Sequence, residues 1–298
     1  MVVSTDNANT SCSAGDPLDI ARSIIDRDIA RLEESIRALK SRRNELSPIS
    51  RLPSEILCFI FSLTEDKSLL SLSRTRKPES WTNFSQVSQQ WRSSALRAPE
   101  LWTSIPLNYP RWAKEMLLRS KMAKLTIRSG LSLDTSNPKI IETVRSCLYE
   151  MNRVEEIKFD AIPKMKLEEI FRDLSKSAPQ LHTLCIGSYS FSDVGTALPI
   201  RNDFLHDTER LRRVELTNCK ISWDSPLLIG LTRLTLGDCS KANSSIIQVL
   251  HALQRMPALT DLHLKIRFRT TQKKAYPPTL ASIFPAFGFF IFHLVLVH

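Results

Sequence analysis

The sequence predicts a multi-part α+β chain: an N-terminal amphipathic helix, then a three-helix module, then an α/β solenoid. Three patterns carry that prediction. From Leu18 to Leu46 apolar residues recur every three to four positions in a heptad, the mark of one long helix with a single apolar seam. Between Ile49 and Ile105 they fall into short runs bounded by Pro48 and Pro99, as short amphipathic helices require. Beyond about residue 110, segments spaced L-x-x-L-x-L recur and alternate with helix-like stretches.

The 298 residues suffice for one large or two modest domains plus a tail. At 42% hydrophobic and 24% charged, the composition is that of a globular chain. The 41 basic and 31 acidic side chains leave a formal charge of +10, which permits an acidic partner without demanding one. Cys12, Cys58, Cys147, Cys185, Cys219 and Cys239 are scattered, with no CxxC clip. Reduced thiols and a cytoplasmic or nuclear location are therefore expected. The polar N-terminus lacks the basic and apolar regions of a secretory signal. The apolar tail, 283–298, is shorter than the ~20 residues a spanning helix needs, so no membrane partner is expected.

Residues 1–17, rich in Ser, Asn, Thr and Asp, are expected to be disordered. The heptad helix occupies 18–47. Leu18, Ile25, Leu32, Leu39 and Leu46 take the d positions; Arg22, Ile29, Ile36 and Arg43 take a. Ile at a with Leu at d favours a two-stranded parallel coil, and so a homodimer. A single helix lying on its own domain fits the pattern equally well. Ser47-Pro48 ends the helix, because proline removes a donor and disfavours helix at the residue before it.

Pro53 sits in the first turn of the next helix, on which Ile56, Leu57, Ile60, Phe61 and Leu63 are expected to form one apolar face. Residues 64–80 are polar and basic and read as a loop. Trp81, Phe84, Val87 and Trp91, spaced 3, 3 and 4, predict a second helix. A short third helix is expected over Arg92 to Arg97, ending before Pro99.

The repeated segments are Val154-Ile157-Phe159, Leu181-Leu184-Ile186, Leu211-Val214-Leu216, Leu231-Leu234-Leu236 and Leu259-Leu262-Leu264, with Met122-Leu125-Ile127 a weaker sixth. They start at intervals of 20 to 32 residues, and Cys219 and Cys239 trail two of them at the same offset. A short strand and a helix repeated at this period predict a leucine-rich-repeat solenoid over 112–282. One such unit cannot bury its apolar face alone, so neighbours stack. Period-two alternation then turns one set of strand residues outward. Lys158, Arg213, Glu215, Arg233, Asp261, His263 and Lys265 are the candidate binding residues on that face.

Leu52-Pro53-x-Glu55-Ile56-Leu57-x-x-Ile60-Phe61, followed by Val87-x-x-x-Trp91-Arg92 and Pro99-x-Leu101-Trp102, resembles the F-box motif. It looks most like the F-box-like domains of the expanded fungal families, where a heptad helix often precedes the motif and leucine-rich repeats follow it. The resemblant module spans 48–106. It departs from the family in its longer, more basic loop 64–80, and in Ser88-Gln89-Gln90, where a basic pair is usual. The resemblance implies a three-helix module that docks on a Skp-type adaptor and, through it, a cullin. Leu52, Pro53, Ile56, Leu57, Ile60, Phe61, Val87 and Trp91 would be the adaptor-binding residues. A protein client would sit on the repeats. The residues support docking independently, because a module of about 50 residues cannot hide that much apolar surface within itself.

No catalytic, metal or cofactor constellation emerges. The seven glycines form neither GxGxxG nor a P-loop, and HExxH and GxSxG are missing. The chain is expected to be a non-enzyme with no cofactor and no metal. The basic stripe Lys265, Arg267 and Arg269 leaves a nucleic-acid-binding solenoid as one alternative, though no aromatics interleave to stack bases. A protein-binding scaffold outside any ligase is the other.

Overall fold

The computed structural model describes residues 16–64, 82–129, 133–172, 174–189, 197–237, 246–264 and 291–294. Helix α1 (Pro17–Glu45) opens on Asp16, whose side chain accepts from the Leu18 N–H, with Pro17 in the first turn and Arg42 and Arg43 in the last. These residues suit the two ends of the helix macrodipole. No residue of α1 is buried. Its apolar seam is thus not laid against the core formed by the described residues.

A short 3-10 turn, Pro48–Arg51, leads into α2 (Ser54–Thr64). The Ser50 hydroxyl donates back to the Asn44 carbonyl, and Gln90 Nε2 donates to the Ser50 carbonyl at 3.0 Å. The turn is therefore pinned to both α1 and the next helix. That helix, α3 (Gln89–Arg97), differs from expectation. Phe84 and Trp91 do not share one helix. Phe84 lies on a 3-10 turn, Thr82–Gln86. Ser88 then adopts extended backbone at φ −152 and caps α3 by accepting from the Trp91 N–H. A serine there offers the first turn a better acceptor than a continuous helix would. The stretch expected as a third helix is the second half of α3, and a 3-10 turn, Pro99–Trp102, closes the module. Trp81 and most of the basic loop lie outside the described residues.

Strands follow in chain order: β1 (Ser104–Pro106), β2 (Leu125–Ser129), β3 (Val154–Pro163), β4 (Lys176–Ser177), β5 (Thr183–Tyr189), β6 (Leu198–Pro199), β7 (Leu205–His206), β8 (Arg213–Thr217), β9 (Cys219–Lys220), β10 (Arg233–Gly237), β11 (Asp261–Leu264) and β12 (Ile291–Leu294). One sheet runs β1-β2-β3-β5-β8-β10-β11-β12, parallel throughout. Two small parallel ladders, β4-β7 and β6-β9, lie in its connections. Helices α4 (Pro110–Arg119), α5 (Pro138–Tyr149), α6 (Lys164–Phe171) and α7 (Ile246–Gln254) also lie in its connections, α6 sharing the β3–β5 connection with β4.

In the sheet, one face is apolar and the other polar. Ile105, Ile127, Ile157, Leu184, Val214, Leu234 and Leu262 line up across neighbouring strands as one buried row. Residues one step along each strand are mostly part-exposed. Parallel sheets are usually covered on both faces; among the described residues helices cover one. Cys219 continues the buried side, its thiol donating to the Ile186 carbonyl at 3.6 Å. Asn218 before it holds φ +52, a left-handed value that asparagine tolerates, and its carbonyl accepts from Ser188 Oγ at 2.7 Å.

The sequence places Ser104–Pro106 in the helical module, but these residues are the first strand of the sheet. Module and sheet consequently share one apolar core from Leu57 to Leu264. Trp102 stands at the join. It is fully buried, its indole N–H donates to the Ala95 carbonyl of α3 at 2.8 Å, and the Arg119 guanidinium of α4 lies 4.4 Å over its ring. Deeper in, Arg153 is buried but fully occupied. It donates to Ser120 Oγ and the Ala123 carbonyl, both at 3.0 Å, and pairs with Glu150. A buried guanidinium with these partners ties the end of α4 to the start of β3.

Trp102→Ala should lower unfolding stability by about 3–5 kcal/mol, the usual range for truncating a buried aromatic. Because the core is shared, urea denaturation followed by far-UV circular dichroism should still show one transition, shifted as a whole.

Candidate functional site

Helix α2 is apolar on more than one side. Successive residues of a helix turn by about 100°, so positions 57 and 59 lie about 200° apart. Leu57 and Phe61 point inward, 0% and 1% exposed. Phe61 stacks on Phe84 with ring centroids 4.4 Å apart and nearly parallel planes, and Trp91 lies against it at 5.1 Å. Cys58 donates to the Ser94 carbonyl of α3. The opposite side carries Ile56, Phe59 and Leu63, which are 46%, 61% and 68% exposed. Val87, just ahead of α3, is 54% exposed.

The expected docking set therefore divides. Leu57 and Phe61 are core residues and cannot meet a partner while α2 is packed, which corrects their placement on a docking face. Leu52 and Trp91 are partly buried and packed against the core, and Ile60 is half-buried. Pro53, Ile56 and Val87 are exposed. Phe59 and Leu63 complete the outward stripe, at i, i+3 and i+7 from Ile56. In a run where nearly every residue is apolar, the single face expected over 56–63 conceals that second stripe. Too many apolar residues in two turns was the signal that could have found it.

The second candidate surface is the polar face of the sheet. Its register matches the period-two expectation. Thr126, Glu156, Thr183, Arg213, Arg233 and Asp261 form one cross-strand row. Arg128, Lys158, Cys185, Glu215, Thr235 and His263 form the next. Lys265 lies outside the described residues.

The charges on this face are largely matched. Glu156 sits between Arg128 at 2.9 Å and Lys158 at 2.7 Å. Arg213 and Arg233 are neighbours across β8 and β10, and each is matched by its own acid: Glu215 for the first, Asp261 at 3.1 Å for the second. Cys185 donates its thiol to Glu215 at 3.4 Å. Burial would push the Glu156 carboxyl up, yet the hydrogen bonds from Arg128 and Lys158 hold it below its usual range. Burial leaves the Asp160 carboxyl raised, against the opposing pull of Lys158 and Arg128. Burial and then Glu215 push the Cys185 thiol up to about 12, so it stays protonated and serves as a donor. Arg233 hydrogen-bonds Asp261 and holds its carboxyl low.

An F-box domain is detected at residues 49–75, a segment that includes all of α2. Comparison with curated proteins finds no match. Among the described residues no helix is long and apolar enough to cross a membrane, and no group of three or more His, Cys, Asp or Glu converges as a metal ion would require.

Glu156→Gln should destabilise the chain at neutral pH. The folded carboxyl is depressed, so its contribution is present above the ordinary glutamate value of about 4.3 and fades as pH falls through the folded value. Urea melts of wild type and variant should thus differ at pH 7 and converge as pH drops below about 4.

Proposed function

We propose that this chain is the substrate-recognition subunit of a Skp–cullin–F-box type ubiquitin ligase. The outward stripe of α2 docks the adaptor, and the polar face of the parallel sheet holds a protein client. The observation that carries the proposal is the exposed Ile56-Phe59-Leu63 stripe, which lies within the detected F-box domain and presents much of its apolar surface to solvent. Contiguous exposed apolar residues on a rigid helix are what a helix-on-helix partner covers. The inward stripe, locked by Phe61 on Phe84, fixes the outward one in place before any partner arrives.

The sheet suits the second role. Strands in chain order, all parallel and open on one face, fit a leucine-rich-repeat solenoid of the kind found in expanded fungal F-box families. Its ion pairs are part-exposed, so a client of complementary charge would exchange partners with them instead of meeting bare charge. In this role the chain makes no bond. It raises the effective concentration of the client at the ligase.

A pull-down with Ile56→Glu/Phe59→Glu beside wild type tests the docking. The double variant should lose a small adaptor and a cullin by at least tenfold while its thermal unfolding stays within a few degrees of wild type. Retention of both by the variant would refute docking through this stripe, and capture of the adaptor without a cullin by wild type would point to a scaffold outside any ligase. For the client face, Arg213→Glu/Arg233→Glu should weaken capture of a client identified with the wild type; unchanged capture would remove that face from the proposal.

A further inference from the structure

We propose that α1 pairs with α1 of a second copy of this chain, and that the pair is antiparallel. The seam residues Ile25, Ile29, Leu32, Ile36, Leu39 and Leu46 are between 49% and 79% exposed. A strict a/d seam of this kind is stabilised by a partner helix with the same repeat. Ile20 and Ile24 lie off the seam and take no part.

Charge beside the seam selects both partner and direction. Asp19, Asp26, Asp28 and Glu33 occupy e and g positions of the N-terminal part, and Lys40 and Arg42 those of the C-terminal part. In a parallel pair, g of one heptad meets e of the next on the other helix. Asp28 would then face Glu33 of the second copy, twice, with no opposite pair to offset it. In an antiparallel pair, e meets e and g meets g. Setting Ile29 opposite Leu39 and Leu32 opposite Ile36 brings Asp28 to Arg42 and Asp26 to Lys40, each twice by symmetry. One like-charge contact remains, Glu33 with its own copy at the two-fold axis, where Ser35 also meets Ser35. Arg22 falls opposite Leu46, and Arg43 opposite Ile25, at the ends of the seam. There the arginine stems can cover the facing apolar side chain while the guanidinium stays in water.

The ion pairs within α1 do not oppose this. Asp28 lies 3.7 Å from Arg31 with both side chains mostly exposed, an interaction worth little in water. Antiparallel helices also align their macrodipoles favourably. At 1.5 Å per residue the two C-terminal ends, each leading to a helical module, would stand roughly 36 Å apart. The pairing rests on α1 alone, so it holds whether or not α2 docks an adaptor.

Sedimentation equilibrium of the full chain reads the prediction. Wild type should be a dimer, and Ile36→Glu a monomer with an unchanged thermal midpoint. Asp26→Lys/Asp28→Lys should weaken dimerisation roughly tenfold, since four attractive contacts become repulsive. Adding Lys40→Glu/Arg42→Glu to that variant should restore the dimer to within about threefold. A monomeric wild type, or an Ile36→Glu variant that stays dimeric, would overturn the pairing. Tighter association of Asp26→Lys/Asp28→Lys would overturn the antiparallel direction, because in a parallel pair that change relieves the Asp28–Glu33 repulsion.

Discussion

Burial of the Trp102 indole is the contact on which the rest of the structure depends. Its N–H satisfies the Ala95 carbonyl at the end of α3, and its ring lies under Arg119 of α4. The first strand of the sheet, β1, follows directly from it in sequence. A small helical module has too little core to hold a defined shape alone. By sharing one core with an eight-stranded sheet, it acquires a rigid base. That base lets α2 commit Leu57 and Phe61 to the interior and still present Ile56, Phe59 and Leu63 to solvent in a fixed geometry.

The polar sheet face follows a related logic. Like charges that the register places side by side, Arg213 and Arg233, are each neutralised by a carboxylate. Arg128 and Lys158 share Glu156. Such a face is stable without a partner, yet its pairs are exposed enough to rearrange. A partner of such a face would be selected by which pairs it can replace without leaving a charge stranded.

Much of this was legible in the sequence because two periodicities are hard to counterfeit. The L-x-x-L-x-L spacing located β3, β5, β8, β10 and β11, and period two sorted their paired residues onto the correct faces, since the shifts in register fall outside the two polar rows, at Leu125/Thr126 and between Phe159 and Ile162. The heptad located α1 to within two residues. What escaped was set by short-range competition. Ser88, a strong capping residue, split the predicted Phe84–Trp91 helix, and three residues, Ser104–Pro106, became a strand only because β2 lies beside them. The inner and outer stripes of α2 could not be separated by spacing alone in a run where nearly every residue is apolar; packing of Phe61 on Phe84 separates them. The Lys265 stripe and the apolar tail before Ile291 fall outside the described residues.

Amide hydrogen exchange of the full chain, with and without a purified Skp-type adaptor, tests the central claim most directly. If α2 is held from within and docks from without, adaptor should slow exchange across 54–64 and around Val87 while leaving the strands β5, β8 and β10 as they were. Unchanged exchange in α2, under conditions where the adaptor is shown to bind a known F-box protein, would contradict it.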